Sequence, residues 1–196
     1  MFTNPPKIMG LDSYLYGTKT FYAYDKQIGN EPVTRTTEFQ SLLIETNFEN
    51  APIDDTLWSS YTVDYPLAYW CKTNAIHNWF VQNVQNGVDD CGRYYVSAEH
   101  LVQLSDLVNN ALKRPDIAGT YLPTISGCSF GGLEYDDWYF NKLQYTKERL
   151  DSVLSYQSVA LADRDRRLLH KRLETNVVLM PTKNASFDGF YYSSSW

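Results

Sequence analysis

Asn74 and His77 stand three residues apart, with Trp70 and Val81 flanking them at helical spacing, which predicts that all four share one side of a helix. A histidine in that position titrates near neutral pH and can donate to an anion or act as a base. The plainer alternative is a histidine at the border of the core, bonded to a backbone carbonyl. A second group is the run Ser126-Gly127-Cys128-Ser129-Phe130-Gly131-Gly132 ahead of a helix. Its glycines let backbone come close to a ligand, and successive N–H groups can form an anion-holding nest. The helix N-terminus behind it favours phosphate. Asp136 and Asp137 at that helix start repel phosphate unless they serve a ribose hydroxyl or a base edge. The run has neither the Gly-Lys-Ser/Thr of a P-loop nor a strand-linked GxGxxG. A ligand loop and a structural turn both fit it.

Other reactive residues carry less. Asp89-Asp90 invites a metal or a general base, yet divalent cations take more oxygen ligands than this segment offers, and a solvated turn is the better reading. Cys71, Cys91 and Cys128 form no CxxC pair, and His77, His100 and His170 are scattered, so no zinc template fits. Reduced thiols of a cytosolic protein are expected. Cys91 lies beside Asp89 and Asp90, whose charges raise a thiol pKa, which counts against a nucleophile. His77 with Ser126 makes no defensible triad, since GxSxG is absent. Hence no catalytic residue, metal site or cofactor is assigned.

The aromatic residues are the stronger clue: 16 Tyr, 9 Phe and 5 Trp among 196 residues. Tyr14, Tyr16, Trp70, Tyr94, Tyr95, Phe130, Tyr135, Trp138 and Tyr139 are more than one small core can bury with every hydroxyl satisfied. Some of them should line a cleft or an interface. Aromatic planes stack on nucleobases, so a nucleotide-sized ligand is one reading, and a tyrosine-rich surface or dimer contact is the other. The candidate ligand-binding set is Tyr14, Trp70, Asn74, His77, Tyr94, Ser126, Phe130, Gly131, Tyr135, Asp136 and Tyr139. A net charge of −6 argues against a nucleic-acid duplex as partner. No apolar run approaches the roughly 20 residues that span a bilayer, and no secretory signal opens the chain.

The elements that must position these residues follow from periodicity. Alternation over residues 11–16 predicts an aromatic strand that residues 20–24 continue or return. Residues 25–32 read as a turn, and 33–46 and 57–63 as further β segments. A helix is expected after Asp64, with Tyr69, Thr73, Ile76, Phe80 and Val84 as its apolar stripe and Gly87 at its end. Residues 93–96 predict a short strand. Ser97 is a natural N-cap for a helix carrying Leu101, Leu104, Val108 and Ala111, which Pro115 stops. After a Pro- and Gly-rich loop, a third helix runs from about 135 to 156 on Tyr139, Leu143, Thr146, Leu150 and Val153. Residues 163–172 read as a charged helix and 176–180 as a short strand. The sum is α+β: a small antiparallel sheet packed by about three helices. Residues 1–156 form the core domain, and 157–196 form a C-terminal extension or dimer arm with no independent domain.

Several of these stretches resemble a family of small uncharacterised proteins of bacteriophages and their bacterial hosts. The likeness rests on Met9-Gly10-Leu11-Asp12 and on Asn74-Ala75-Ile76-His77-Asn78-Trp79-Phe80-Val81. It continues in Tyr94-Tyr95-Val96-Ser97, Leu122-Pro123-Thr124 with Ser126-Gly127, and Glu134-Tyr135-Asp136-Asp137-Trp138-Tyr139. It spans roughly 9–17 and 65–156, leaving out an insertion-like stretch at 18–64 and everything after 156. Where the family carries an SGFFFG-like run, Cys128-Ser129 departs from it. The resemblance implies a setting more than a reaction: a phage accessory protein acting in the host cytoplasm against host defence. Two routes fit by analogy, sequestering a nucleotide-derived signal or binding a host defence protein directly. A nucleotide hydrolase using His77 is a third and weaker reading.

Overall fold

The computed structural model describes residues 10–22, 60–127, 129–173 and 186–196. The predicted turn at 25–32, the β segments at 33–46 and 176–180, and Cys128 lie outside the described residues. The chain divides into two compact units, Thr18–Tyr65 and the remainder. Within the smaller unit, the hydroxyls of Thr20 and Thr62 meet at 3.1 Å. The site described below lies wholly in the larger one.

Four strands are present: β1 (Asp12–Tyr22), β2 (Ser60–Cys71), β3 (Arg93–Val96) and β4 (Gly189–Ser195). They form one antiparallel sheet in the order β2-β1-β4-β3. Tyr94 of β3 pairs with Tyr192 of β4, and Tyr95 with Tyr191. The helices are α1 (Asn74–Asn83), α2 (Ala98–Lys113), the single turn α3 (Ala118–Tyr121) and α4 (Asp137–Leu173). The α+β class, with helices packed on a small antiparallel sheet, is as the patterning predicts.

Strand alternation sorts the sheet into two faces. Leu15, Trp70, Val96, Phe190 and Tyr192 are buried against the helices. Phe80 of α1 lies flat on Tyr192, with ring centres 4.0 Å apart and planes at 10°, and the Trp70 ring is 5.9 Å from Phe80. Burying each such side chain contributes about 1.5–3 kcal/mol, so this aromatic floor fixes α1 on the sheet. The Trp70 indole N–H donates to Thr146 Oγ1 at 2.9 Å, and Arg149 Nε donates to the Leu67 carbonyl at 2.6 Å, tying α4 to β2. Leu101, Leu104, Val108 and Ala111 of α2 are fully buried, and α2 packs along α4.

Three expectations change. The helix expected after Asp64 is a strand as far as Cys71, and α1 begins at Asn74. Residues on either side of a strand–helix joint mimicked one helical stripe, and Pro66 is tolerated because β2 lies at the edge of the sheet. Trp70 is therefore a strand residue and does not share a helix side with Asn74 and His77. The third helix does not end near 156: α4 continues to Leu173 and takes in the predicted charged segment. Lastly, residues 189–195 of the expected extension form β4, in the interior of the sheet between β1 and β3. Polar-aromatic composition hid this strand, because only its alternate residues Phe190, Tyr192 and Ser194 face inward.

Candidate functional site

Helix α1 organises two neighbouring regions. At its N-terminal end a cavity of about 270 Å³ lies between α1 and α4. Its walls come from Lys72, Thr73, Asn74 and Ala75, from Gly131, Gly132 and Glu134, and from Asp136, Trp138, Tyr139, Lys142 and Leu143, with Thr124 at the margin. The start of α1 has no side-chain cap and no acidic residue in its first turn. Its first N–H groups and positive dipole end therefore adjoin this space, across which stand the carboxyls of Glu134 and Asp136. Trp138 is 54% exposed, and Lys142, one turn further along α4, sets its ammonium 4.4 Å from the centre of the indole. Lys72 supplies a second cation from a left-handed backbone position, φ 52°.

The 129–132 segment forms one wall. The amide of Asn74 donates to the carbonyls of Phe130, at 3.3 Å, and Gly132, at 2.8 Å, while Leu11 N donates to the Ser129 carbonyl at 3.3 Å. Gly131 has φ +100°, and a Cβ there would lie 2.7 Å from the Lys72 carbonyl oxygen, so this close approach requires glycine. Asp136 caps α4: its Oδ1 accepts from Tyr139 N at 3.0 Å. Tyr139 is buried, its hydroxyl donates to the Leu122 carbonyl at 2.8 Å, and burial, then the nearby Tyr135, pushes its phenol above the usual range.

Three residues further along α1 lies a buried polar cluster. His77 is 1% exposed, with Nδ1 2.7 Å from the Tyr192 hydroxyl and Nε2 2.9 Å from Asp89 Oδ2. The other Asp89 oxygen accepts from the Trp196 indole N–H at 3.1 Å. Asp89 holding a proton on Nε2 leaves Nδ1 as the acceptor for Tyr192. Burial pushes the Tyr192 phenol well above the usual range. The hydroxyls of Ser13 and Ser194 lie beside that phenol in the core and offset part of the rise. Phe130 meets the His77 ring edge-on at 5.2 Å.

Of the predicted ligand set, Asn74, Gly131, Asp136 and Tyr139 line the cavity. Phe130 and Tyr135 do not line it: Phe130 is buried against His77, and the exposed Tyr135 packs on Tyr139 at 4.9 Å with its hydroxyl near Thr124 N. The remaining five lie elsewhere. Trp70 is sealed in the core, which large apolar area dictates. His77 is held by its two partners, a carboxylate and a phenol in place of the carbonyl of the plainer alternative. Tyr94 donates to Asp90 Oδ2 at 2.8 Å and holds that carboxyl below its usual range. Ser126 is exposed on the loop. Tyr14 faces the opposite side of the sheet, stacked between Tyr16 and Tyr69.

That opposite side has its own character. Tyr14, Tyr16, Tyr69, Tyr95 and Tyr191 share it with Arg93, whose guanidinium lies 4.5 Å from the Tyr191 ring centre and 5.6 Å from that of Tyr16. The Tyr69 hydroxyl donates to Asp12 at 2.6 Å, and this bond, ahead of burial, raises its pKa.

Sequence reasoning missed Lys72, Trp138 and Lys142 as cavity residues. The spacing of Trp138 and Lys142, four apart on one helix, was a usable signal. Lys72 gave none, because its place depends on the strand–helix joint. Among the described residues no group of three or more His, Cys, Asp or Glu side chains could hold a metal, and no helix is long and apolar enough to cross a membrane. No protein-family model, curated protein or solved structure matches this chain. Function is therefore argued from the site itself.

Proposed function

We propose that this protein is a non-enzymatic binder of a small nucleotide-derived ligand, held in the cavity between the starts of α1 and α4. The observation that carries the reading is the composition of that cavity: an exposed indole and a tyrosine beside two lysines, two glycines and an uncapped helix start. Trp138 stacks a base, with Lys142 on its ring. Lys72, the α1 N–H groups and the Gly131-Gly132 backbone receive phosphate. Glu134, and the Asp136 oxygen not engaged in capping, suit ribose hydroxyls or a base edge. At about 270 Å³ the space is slightly below the usual range of ligand pockets, which supports a mononucleotide-sized ligand or one such portion of a larger molecule. The resemblance to phage proteins supports the setting, a signal sequestered in the host cytoplasm to blunt a defence response.

A thermal-shift panel of nucleotides, cyclic oligonucleotides and NAD-derived compounds tests this. A ligand at 100 times its Kd adds about 2.7 kcal/mol to stability. One strong hit is expected, recovered chemically intact and lost in the Lys72→Ala/Trp138→Ala double variant. No shift across the panel, or a shift that survives the double variant, overturns the reading. A second reading, direct binding of a host defence protein, is favoured by the tyrosine face with Arg93 laid against two of its rings, since Tyr and Arg dominate interface hot spots. It predicts a stable complex in a host-lysate pull-down that Tyr95→Ser weakens.

A further inference from the structure

We propose that Trp196 is a positioning residue for the cavity: through Phe130 directly, and through Asp89 and His77 indirectly, it holds the Gly131-Gly132 wall in place. The consequence for binding rests on the ligand reading above; the mechanical coupling does not.

The two glycines of the wall depend on their neighbours for support. Gly131 and Gly132 carry no side chains, and a Cβ at Gly132 would meet nothing within 4 Å. The segment's ends are held by Leu11 N on the Ser129 carbonyl and Thr124 Oγ1 on the Leu133 carbonyl, and between them it is anchored from the cavity side by the Asn74 amide and from beneath by the buried Phe130 ring. Two rings meet Phe130 there, both edge-on: His77 at 5.2 Å and Trp196 at 6.1 Å. The His77 ring cannot turn without breaking its bonds to Tyr192 and Asp89. Asp89 in turn is fixed by the Trp196 indole N–H. Trp196 thus reaches Phe130 twice, once by ring contact and once through a carboxylate–imidazole pair. Both paths end on the residue next to the glycine wall. Because Trp196 is itself 53% exposed, it can be displaced without opening the core.

Hydrogen exchange of the full chain without ligand tests the coupling. In Trp196→Ala, the amides of Leu11 and Phe130 at the wall and of His77, each hydrogen-bonded in the parent, should exchange about tenfold faster, the effect of losing one charge-assisted hydrogen bond with its ring contact. Amides over 101–111 and 143–153 should keep the parent rate. Trp196→Phe, which retains a ring against Phe130 and lacks the N–H, should fall between. Unchanged exchange at Leu11 and Phe130 in Trp196→Ala overturns the proposal, as does an equal rise at these amides and over both control helices, which would be global loosening. Should Trp196→Ala not fold, Trp196→Phe decides alone: faster exchange confined to the wall supports the coupling, and parent rates there overturn it. A silent thermal-shift panel beside a faster wall would remove the ligand reading and leave this coupling standing.

Discussion

Helix α1 serves two regions of opposite character within one turn. Around His77 polar atoms are paired off: imidazole with phenol and carboxylate, carboxylate with indole, all against an aromatic floor. Around the cavity, one turn earlier, Lys72, Lys142 and Glu134 line the space beside the side-chain-uncapped start of α1. The comparison teaches where binding capacity resides. A buried imidazole with both nitrogens engaged has little left to offer a ligand, and its partners make it expensive to remove. Groups at the cavity are cheap to remove and are available for an incoming molecule. Titratable chemistry drew attention to His77, whereas the groups that line an open cavity are its neighbours.

The sharpest way to break this contrast is to remove what the two regions share. Phe80→Ala takes away the ring stacked on Tyr192 and should cost about 3–5 kcal/mol, lowering Tm by more than about 6 °C in calorimetry. His77→Ala should cost about 3 kcal/mol, because it strands the Tyr192 hydroxyl and one oxygen of Asp89. If urea titration finds His77→Ala no more harmful than Trp138→Ala, the distinction between the regions collapses.

Alkaline pH offers a smaller effect with a definite sign. The Tyr192 phenol is raised by burial, so the folded state holds its proton more tightly than the unfolded state does. Its stabilising share is complete below the ordinary phenol pKa of about 10 and is lost progressively as pH rises above it. Tm followed from pH 7 to 11 should fall more gently in Tyr192→Phe than in the parent; equal slopes would show that Tyr192 is not the group responsible. The smallest stability effects belong to the cavity. Lys72→Ala and Trp138→Ala should each stay within about 0.5 kcal/mol of the parent in urea titration, while each weakens the panel's best ligand roughly tenfold or more by calorimetric titration.

What was legible in the sequence was local. Ser97 caps α2, its hydroxyl accepting from His100 N at 3.1 Å, and Tyr139, Leu143, Thr146, Leu150 and Val153 form the buried stripe of α4. Such features depend on neighbours one turn away, so spacing reveals them. What was not legible depended on distant partners. Tyr69, Thr73 and Ile76 keep helical spacing across a strand–helix joint, and only pairing with β1 decides that β2 is extended. The Asp89 loop read as a solvated turn. Asp90 does make the local bond to Gly92 N, but Asp89 is committed to His77 and Trp196, the latter 107 residues away. The cavity was partly legible: glycine chemistry pointed to Gly131 and the placing of a carboxylate at a helix start to Asp136, and nothing local pointed to Lys72.

The place of β4 has a consequence for how the protein is made. Synthesis runs from the N-terminus, and β1 and β2 can pair early, but the other edge of β1 waits for residues 189–195. At ordinary elongation rates that wait is on the order of ten seconds. Throughout it, Leu15 and Trp70 lack the Tyr192–Phe80 stack that closes the floor beside them. The nascent chain therefore carries an unpaired, aromatic-rich strand edge, the kind of surface that chaperones engage and that joins to other chains when they do not. Slowing the ribosome between α4 and β4 would lengthen that exposure, and the yield of folded protein should follow the timing of the last strand more closely than the stability of the finished sheet.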